Sequence, residues 1–209
     1  MKLKTILLIT LAAASLALVN CSKKPAANKS ALAEIKKGVV PVADPEVAVI
    51  EMENPVYGTI KIELYSNIAP KMVARFKELA NEGFYNGITF HRINESVIQG
   101  GDPNSKDDDT KNDGSGGSKK PNVPAEFSDI KYESGILGAA RLGNDVNSAN
   151  CQFFITLRRV AGFDNDYTVF GKVIEGMNNV RTISGVQPKE GERPIEDVRI
   201  KSVTIQPRN

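Results

Sequence analysis

Between Thr59 and Leu64 the chain alternates without a break. Ile60, Ile62 and Leu64 lie on one side, and Thr59, Lys61 and Glu63 on the other. A period of two buries one set and wets the other, so the segment reads as a half-buried strand. The period then changes. Ile68, Met72, Phe76, Leu79 and Ala80 recur at helical spacing, Pro70 suits a first helical turn, and Gly83 suits a C-terminal stop. This predicts an amphipathic helix of about three turns, whose apolar stripe must cover a sheet or barrel.

The remaining segments are mostly short strands. Val47–Glu53 is expected to form a hairpin with Thr59–Leu64 through Asn54-Pro55-Val56-Tyr57-Gly58. Phe90–Asp102 reads as strand, turn and strand, and Gly135–Arg141 as a strand of small residues. In Gln152–Leu157, Phe153, Ile155 and Leu157 share one face, and Gln152, Phe154 and Thr156 share the other. Thr168–Val173 is a further strand, and Met177–Ile183 a short second helix. Val198–Ile205 ends the domain, with an alternation that slips between Ile200 and Val203, the mark of a bulge. The pattern is mainly β and predicts a closed antiparallel barrel capped by two helices.

The first stretch stands apart. Lys2 and Lys4 precede an apolar run from Thr5 to Val19, which has the length of a signal-peptide core and is short for a bilayer span. It ends at Leu18-Val19-Asn20-Cys21, followed by Ser22-Lys23-Lys24-Pro25. The segment resembles a bacterial lipoprotein signal, with residues 1–20 removed and Cys21 acylated as the new N-terminus. Residues 21–46, broken by Pro25, Pro41 and Pro45, read as a flexible tether, in which Ser30–Lys37 could form a short helix. Residues 47–207 are the folded domain. The expected site is the cell envelope, lipid-anchored on an extracytoplasmic face. Without Lys2 and Lys4 the chain has 25 basic and 25 acidic side chains, a balance that does not suit nucleic acid. With Cys21 acylated, Cys151 has no intrachain partner, and the domain must stand on its apolar core.

Much familiar chemistry is poorly supplied. A single histidine, His91, cannot build a His-rich metal site, and no nucleophile elbow accompanies it. Cys151, at a strand entrance, reads as a small edge residue rather than half of a Cys–His pair. Gly114-Ser115-Gly116-Gly117 is not followed by the Gly-Lys-Ser/Thr of a phosphate-binding loop. Asp107-Asp108-Asp109, in the polar loop Asn104–Pro121, lacks the ligand spacing of a calcium-binding loop and reads as solvated. What remains is a set of polar groups at strand positions: Arg92, Gln99 and Gln152, with Phe154 on the face of Gln152. An outward Phe beside an arginine and two glutamines is a plausible peptide-binding patch.

These segments carry a resemblance. Gly83-Phe84-Tyr85-Asn86-Gly87, Phe90-His91-Arg92-Ile93, Gln99-Gly100-Gly101-Asp102-Pro103, Gln152-Phe153-Phe154-Ile155 and Val169-Phe170-Gly171-Lys172-Val173 occur in the order seen in cyclophilin-type peptidyl-prolyl isomerases. The resemblance covers nearly all of residues 47–206. It implies a closed eight-stranded antiparallel β-barrel with two capping helices. It also implies that Arg92 is the catalytic arginine, Gln99 the groove glutamine and Phe154 the floor of the proline pocket. Gln152 matches a second groove glutamine. Ala140, Arg141 and Leu142 match the edge that pairs with substrate backbone, and Phe163 and Tyr167 match the pocket wall. The segment between Ile93 and Gln99 is one residue shorter than usual. Ser96 thereby falls where the family has a pocket Phe, and Val97 where it often has Met. Gly162 replaces an aromatic residue, and the implied pocket is shallow. His91, opposite Arg92 by period two, is expected to be structural.

The implied partners are Pro-containing polypeptides and, through the lipid, a membrane; a monomer is expected, with no metal and no cofactor. An amide resists rotation by about 18–20 kcal/mol because nitrogen donates into the carbonyl. Rotation about X-Pro needs no nucleophile, only a site that favours the twisted amide over both planar forms. Two rival readings differ in class: a non-catalytic module that holds Pro-containing segments, and a calcium-dependent surface lipoprotein acting through Asp107–Asp113.

Overall fold

The computed structural model describes residues 33–186 and 192–208. The leader 1–20, Cys21 and the first part of the tether lie outside the described residues. Eight strands are described: β1 (Glu46–Met52), β2 (Thr59–Leu64), β3 (Arg92–Ile93), β4 (Val97–Gly100), β5 (Ile136–Ala139), β6 (Phe153–Thr156), β7 (Val169–Glu175) and β8 (Ile200–Pro207). They form one antiparallel sheet in the order β3-β4-β6-β5-β7-β2-β1-β8. Two α-helices are described, α1 (Pro70–Asn81) and α2 (Met177–Ser184).

The sheet is an open, curled half-barrel, which corrects the expected closed barrel. Its edges are β3 and β8, and they form no ladder with each other. With only Arg92 and Ile93, β3 is too short to supply one. Among the described residues a single bridge, Thr89 to Arg199, spans the gap beside it. Backbone bonds from Gly87 N–H to Ile200 O and from Phe90 N–H to Val198 O satisfy the exposed groups there.

Sequence periods account for both faces. Ile60, Ile62 and Leu64 on β2 are fully buried and share one core cluster with Met72, Val73, Phe76 and Leu79 of α1. Phe76 of α1 meets Tyr85, Phe153 and Phe170 at ring-centroid distances of 5.1, 5.5 and 5.5 Å. Phe154, one residue on, belongs to a second, smaller apolar cluster with Tyr65, Val97, Tyr132 and Val169. Pro70 opens α1, but Ala69 offers no side-chain cap. The Glu126 carboxylate takes that place, accepting from Lys71 N–H and Met72 N–H at 3.1 and 3.0 Å. The expected bulge in the last strand is present: Glu51 pairs with Ser202 and Met52 with Ile200, leaving Lys201 extra.

The stretch read as a tether is not free over its described part. Residues 33–37 are not helical, and Lys36 instead bridges Ser128. Lys36 Nζ donates to Ile68 O at 2.6 Å, and Val42 N–H to Asn67 Oδ1 at 3.0 Å. Asp44 accepts from Ser66 and from Lys77 on α1. The compact unit therefore begins at Ala33. Among the described residues no helix is long and apolar enough to cross a membrane.

Candidate active site

One row of residues runs across four adjacent strands. Arg92 on β3 stands opposite Gln99 on β4, Gln99 opposite Phe154 on β6, and Phe154 opposite Gly138 on β5. Facing residues in antiparallel strands lie within side-chain reach of each other. Arg92 Nη1 donates to Gln99 Oε1 at 3.2 Å. Gln99 Nε2 donates to Gln152 Oε1 at 3.0 Å, and Gln152 Nε2 donates to the carbonyls of Gly114 and Gly116 at 3.0 and 2.9 Å. The relay fixes both glutamine amides, because each uses its oxygen towards Arg92 and its nitrogen away from it.

Beside this row lies a hollow of about 90 Å³ lined by Arg92, Val97, Gln99, Ala140, Arg141, Phe154, Phe163 and Tyr167. Phe154 forms the floor, and its ring is stacked on Tyr132, with centroids 5.7 Å apart. Phe163 and Tyr167 stand at steep angles to it, with centroids at 5.4 and 5.6 Å. Such edge-to-face packing holds an aromatic box open towards a small apolar ring. The Arg141 guanidinium lies 4.6 Å from the Tyr167 ring centroid and pairs with Asp166 Oδ1 at 2.8 Å. Its side chain is only 6 % exposed, so it braces the wall rather than reaching outwards. The N–H of Ala140 is bonded to Gln152 O, and that of Leu142 to Ser148 Oγ.

Gln152 and Leu142 line a second, larger groove of about 340 Å³, which shares Gln99, Ala140 and Arg141 with the first. Ser96 lines neither hollow. The hairpin turn directs it away, and its Oγ accepts from Arg158 Nη2 at 3.0 Å. The sequence assigned Ser96 to the pocket by alignment from Gln99; the shortened turn moves it out. Val97 takes the apolar position and is 2 % exposed.

His91 is buried, and neither ring nitrogen has a hydrogen-bond partner among the described residues. Burial pushes its imidazole below the ordinary histidine range, against the pull of the Asp102 and Asp113 carboxylates. Cys151 is fully buried, and burial pushes its thiol up to about 11, which suits a packed residue and not a nucleophile. The polar loop is folded on itself: Asp102 accepts from Gly114 N–H and Asn104 N–H, and Asp113 pairs with Arg193 at 2.5 Å. No group of three or more His, Cys, Asp or Glu among the described residues is placed to hold a metal ion.

Three contributors went unread in the sequence. Gly138 leaves room for the Phe154 ring, a role that the small-residue composition of its strand could have signalled. Tyr132 supports that ring from below. Glu192 bonds Arg92 Nε at 2.6 Å from a segment without periodicity. Desolvation raises the Glu192 carboxyl, but hydrogen bonds from Arg92 and Asn94 and the Arg92 charge outweigh it and hold the group below the usual carboxylate range.

Comparison with known proteins gives a consistent picture. The family model "Cyclophilin type peptidyl-prolyl cis-trans isomerase/CLD" matches residues 47–205. A mouse protein, peptidyl-prolyl cis-trans isomerase-like 1, is 39% identical over 148 residues, covering 68% of this chain and 84% of its own. A probable peptidyl-prolyl cis-trans isomerase of Brucella suis is 40% identical over 166 residues, covering 77% of this chain and 83% of its own. The crystal structure of a Cryptosporidium parvum cyclophilin-type isomerase in the presence of the dipeptide Ala-Pro superposes with a TM-score of 0.69 at 29% identity, over 78% of this chain and 99% of that one.

Proposed function

Because the chain belongs to the cyclophilin-type peptidyl-prolyl cis–trans isomerase family and is an enzyme of that class, we propose that it turns X-Pro bonds at the hollow beside Arg92. The observation that carries the assignment is the Arg92–Gln99–Phe154 row, which sets a guanidinium, a glutamine relay and an aromatic floor around one space. The proline ring rests on Phe154 between Phe163, Tyr167 and Val97. The Ala-Pro dipeptide in the Cryptosporidium structure supports a Pro-containing ligand. As the amide twists, nitrogen regains its lone pair, and the Arg92 guanidinium stabilises it by donating a hydrogen bond. A planar amide offers that donor much less, so the interaction favours the transition state over both ground states. An acceleration of five decades requires about 7 kcal/mol, which a preorganised charged donor and a fixed ring together can largely supply. With the Ala140 and Leu142 N–H groups already engaged, and Leu142 O accepting from Asp145 N–H and Arg141 Nη1, pairing with substrate backbone falls to the backbone of Arg141 and the Ala140 carbonyl.

The natural substrates in this reading are exported or envelope polypeptides. Lys2, Lys4, the apolar run Thr5–Val19 and Cys21 support it, as does a compact unit that begins only at Ala33, leaving chain between it and an anchor. Two measurements test the proposal. Residues 22–209 should accelerate cis/trans exchange of a Pro-containing peptide, and Arg92→Ala should lose most of that rate; binding without acceleration would overturn it. Mass spectrometry of the cell-envelope form should find acyl chains on Cys21; an unmodified thiol there would defeat the anchor.

A further inference from the structure

Arg92 is held from two sides. Gln99 takes one Nη1 donor, and the Nε–H donates to Glu192 Oε2 at 2.6 Å. Glu192 is itself held: Asn94 Nδ2 donates to both of its carboxylate oxygens at 3.1 Å. The same Asn94 closes the β3–β4 turn, its Oδ1 accepting from the N–H groups of Ser96 and Val97 at 2.8 and 2.9 Å. The backbone at Glu192 has φ 70°, in the left-handed region that a non-glycine residue adopts only at a cost. The next residue, Arg193, pins this conformation by pairing with Asp113 at 2.5 Å and Asp197 at 2.9 Å.

The contacts close into a ring. Arg92 leads to Gln99, Gln99 to Gln152, and Gln152 to the carbonyl of Gly114. Asp113, the neighbour of Gly114, leads to Arg193 and so back to Glu192. A flexible arginine with one anchor could rotate about its last torsions. Bonded at Nε and Nη1, its planar fork is fixed, with N–H groups left over on a residue that lines the hollow.

We propose that Glu192 is a positioning residue of the isomerase reaction, with Asn94 as its support: its carboxylate fixes the Arg92 guanidinium so that the unbonded N–H groups meet the twisting prolyl nitrogen. The proposal rests on Arg92 being the catalytic residue. Glu192 touches no substrate; it acts by removing rotational freedom that would otherwise be lost in the transition state. An oriented donor matters most where the lone pair forms, so the effect falls on kcat and leaves KM nearly alone.

The test compares wild type, Arg92→Ala, Glu192→Ala, Glu192→Gln and Asn94→Ala in full-length protein, by NMR exchange of a Pro-containing peptide, with thermal melting alongside. Glu192→Ala is expected to lower kcat about tenfold, about 1.4 kcal/mol, with KM changed by less than about twofold. Glu192→Gln keeps an acceptor for Nε and should restore most of the loss. Asn94→Ala should lower kcat in the same direction, and adding it to Glu192→Ala should cost little more, as expected of residues acting through one contact. If wild type is active, Arg92→Ala inactive and Glu192→Ala unchanged in kcat, the positioning role is wrong and the assignment of Arg92 stands. If Glu192→Ala loses rate only in proportion to unfolded protein, or if Gln fails to rescue while folding normally, the role is also overturned. If Arg92→Ala keeps the wild-type rate, the reading of Arg92 falls, and this inference with it.

Discussion

Gly138 stands directly across the β5–β6 ladder from Phe154, and the Phe154 ring fills the space that a side chain at 138 would need. A Cβ built there would lie 2.6 Å from Phe154 Cε2 and 2.8 Å from the Tyr132 hydroxyl, with Phe154 Cζ nearer still. Ring and backbone cannot both give way, since Phe154 is wedged between Tyr132, Phe163 and Tyr167. Gly138→Ala should therefore tilt the floor of the hollow. The expected cost is about 1–3 kcal/mol of stability, typical of overpacking, with a fall in kcat/KM larger than the stability loss explains. Denaturant melts and exchange kinetics on the same preparation check this; unchanged kinetics would show that Phe154 does not have to sit where it does.

Arg92 makes its two bonds with different edges of one planar group. Lysine would keep the charge and lose the fork. Arg92→Lys should lower kcat/KM by about 10- to 100-fold, since a hydrogen bond to a charged group is worth roughly 1.5–3 kcal/mol. Peptide binding, measured by chemical-shift titration, should survive, because Phe154, Phe163 and Tyr167 remain. A lysine variant close to wild-type rate would mean that charge alone suffices and orientation does not matter.

Much of this site was legible because period-two alternation is a strict rule. It separated Phe153, packed in the core, from Phe154, which floors the hollow, although they are neighbours and chemically identical. It also set His91 and Arg92 on opposite faces. Family order then located Arg92, Gln99, Phe163 and Tyr167. Three things did not yield to pattern. Whether the sheet closes depends on β3 being two residues long, a matter of how two distant edges meet. The docking of residues 33–46 rests on single polar contacts, such as Lys36 with Ile68 O, that leave no periodic trace. Glu192 meets Arg92 across a sequence separation of 100, where local pattern says nothing.

Ser96 shows how one missing residue misleads an alignment. The β3–β4 turn is closed by Asn94, and Ser96 faces Arg158 instead of the hollow. Among the described residues its only side-chain bond is on the exposed surface. Ser96→Ala should leave kcat/KM within about twofold and stability within about 0.5 kcal/mol. A tenfold loss would place the substrate farther along the turn than the hollow extends.

The strap before β1 gives the protein an acid-sensitive contact. Asp44 is nearly buried; it accepts from Ser66 Oγ at 2.7 Å and Lys77 Nζ at 2.6 Å, joining the strap to α1. Desolvation raises its carboxyl, but the bonds from Lys77 and Ser66 outweigh this and bring it below the ordinary carboxylate value. A depressed folded-state value stabilises the protein above the unfolded value, and that contribution disappears as pH falls through the folded one. Desolvation lowers Lys77, but Asp44 and Glu46 outweigh it and raise the amine, so its share is complete below the ordinary lysine range and fades only as pH rises beyond it. At neutral pH the contact is therefore at full strength. Asp44→Asn keeps an acceptor for Ser66 and removes the charge, while Glu46, 2.9 Å from Lys77, retains part of the pairing. The expected loss at pH 7 is about 1.5 kcal/mol, or about 3–6 °C in melting temperature for a domain of this size. Below the folded value of Asp44 the two proteins should converge, because the wild-type carboxyl is then neutral as well. Melting curves recorded from pH 7 down into the acid range decide it: a gap between the two that stays constant with pH would show that the charge on Asp44 does not hold the strap.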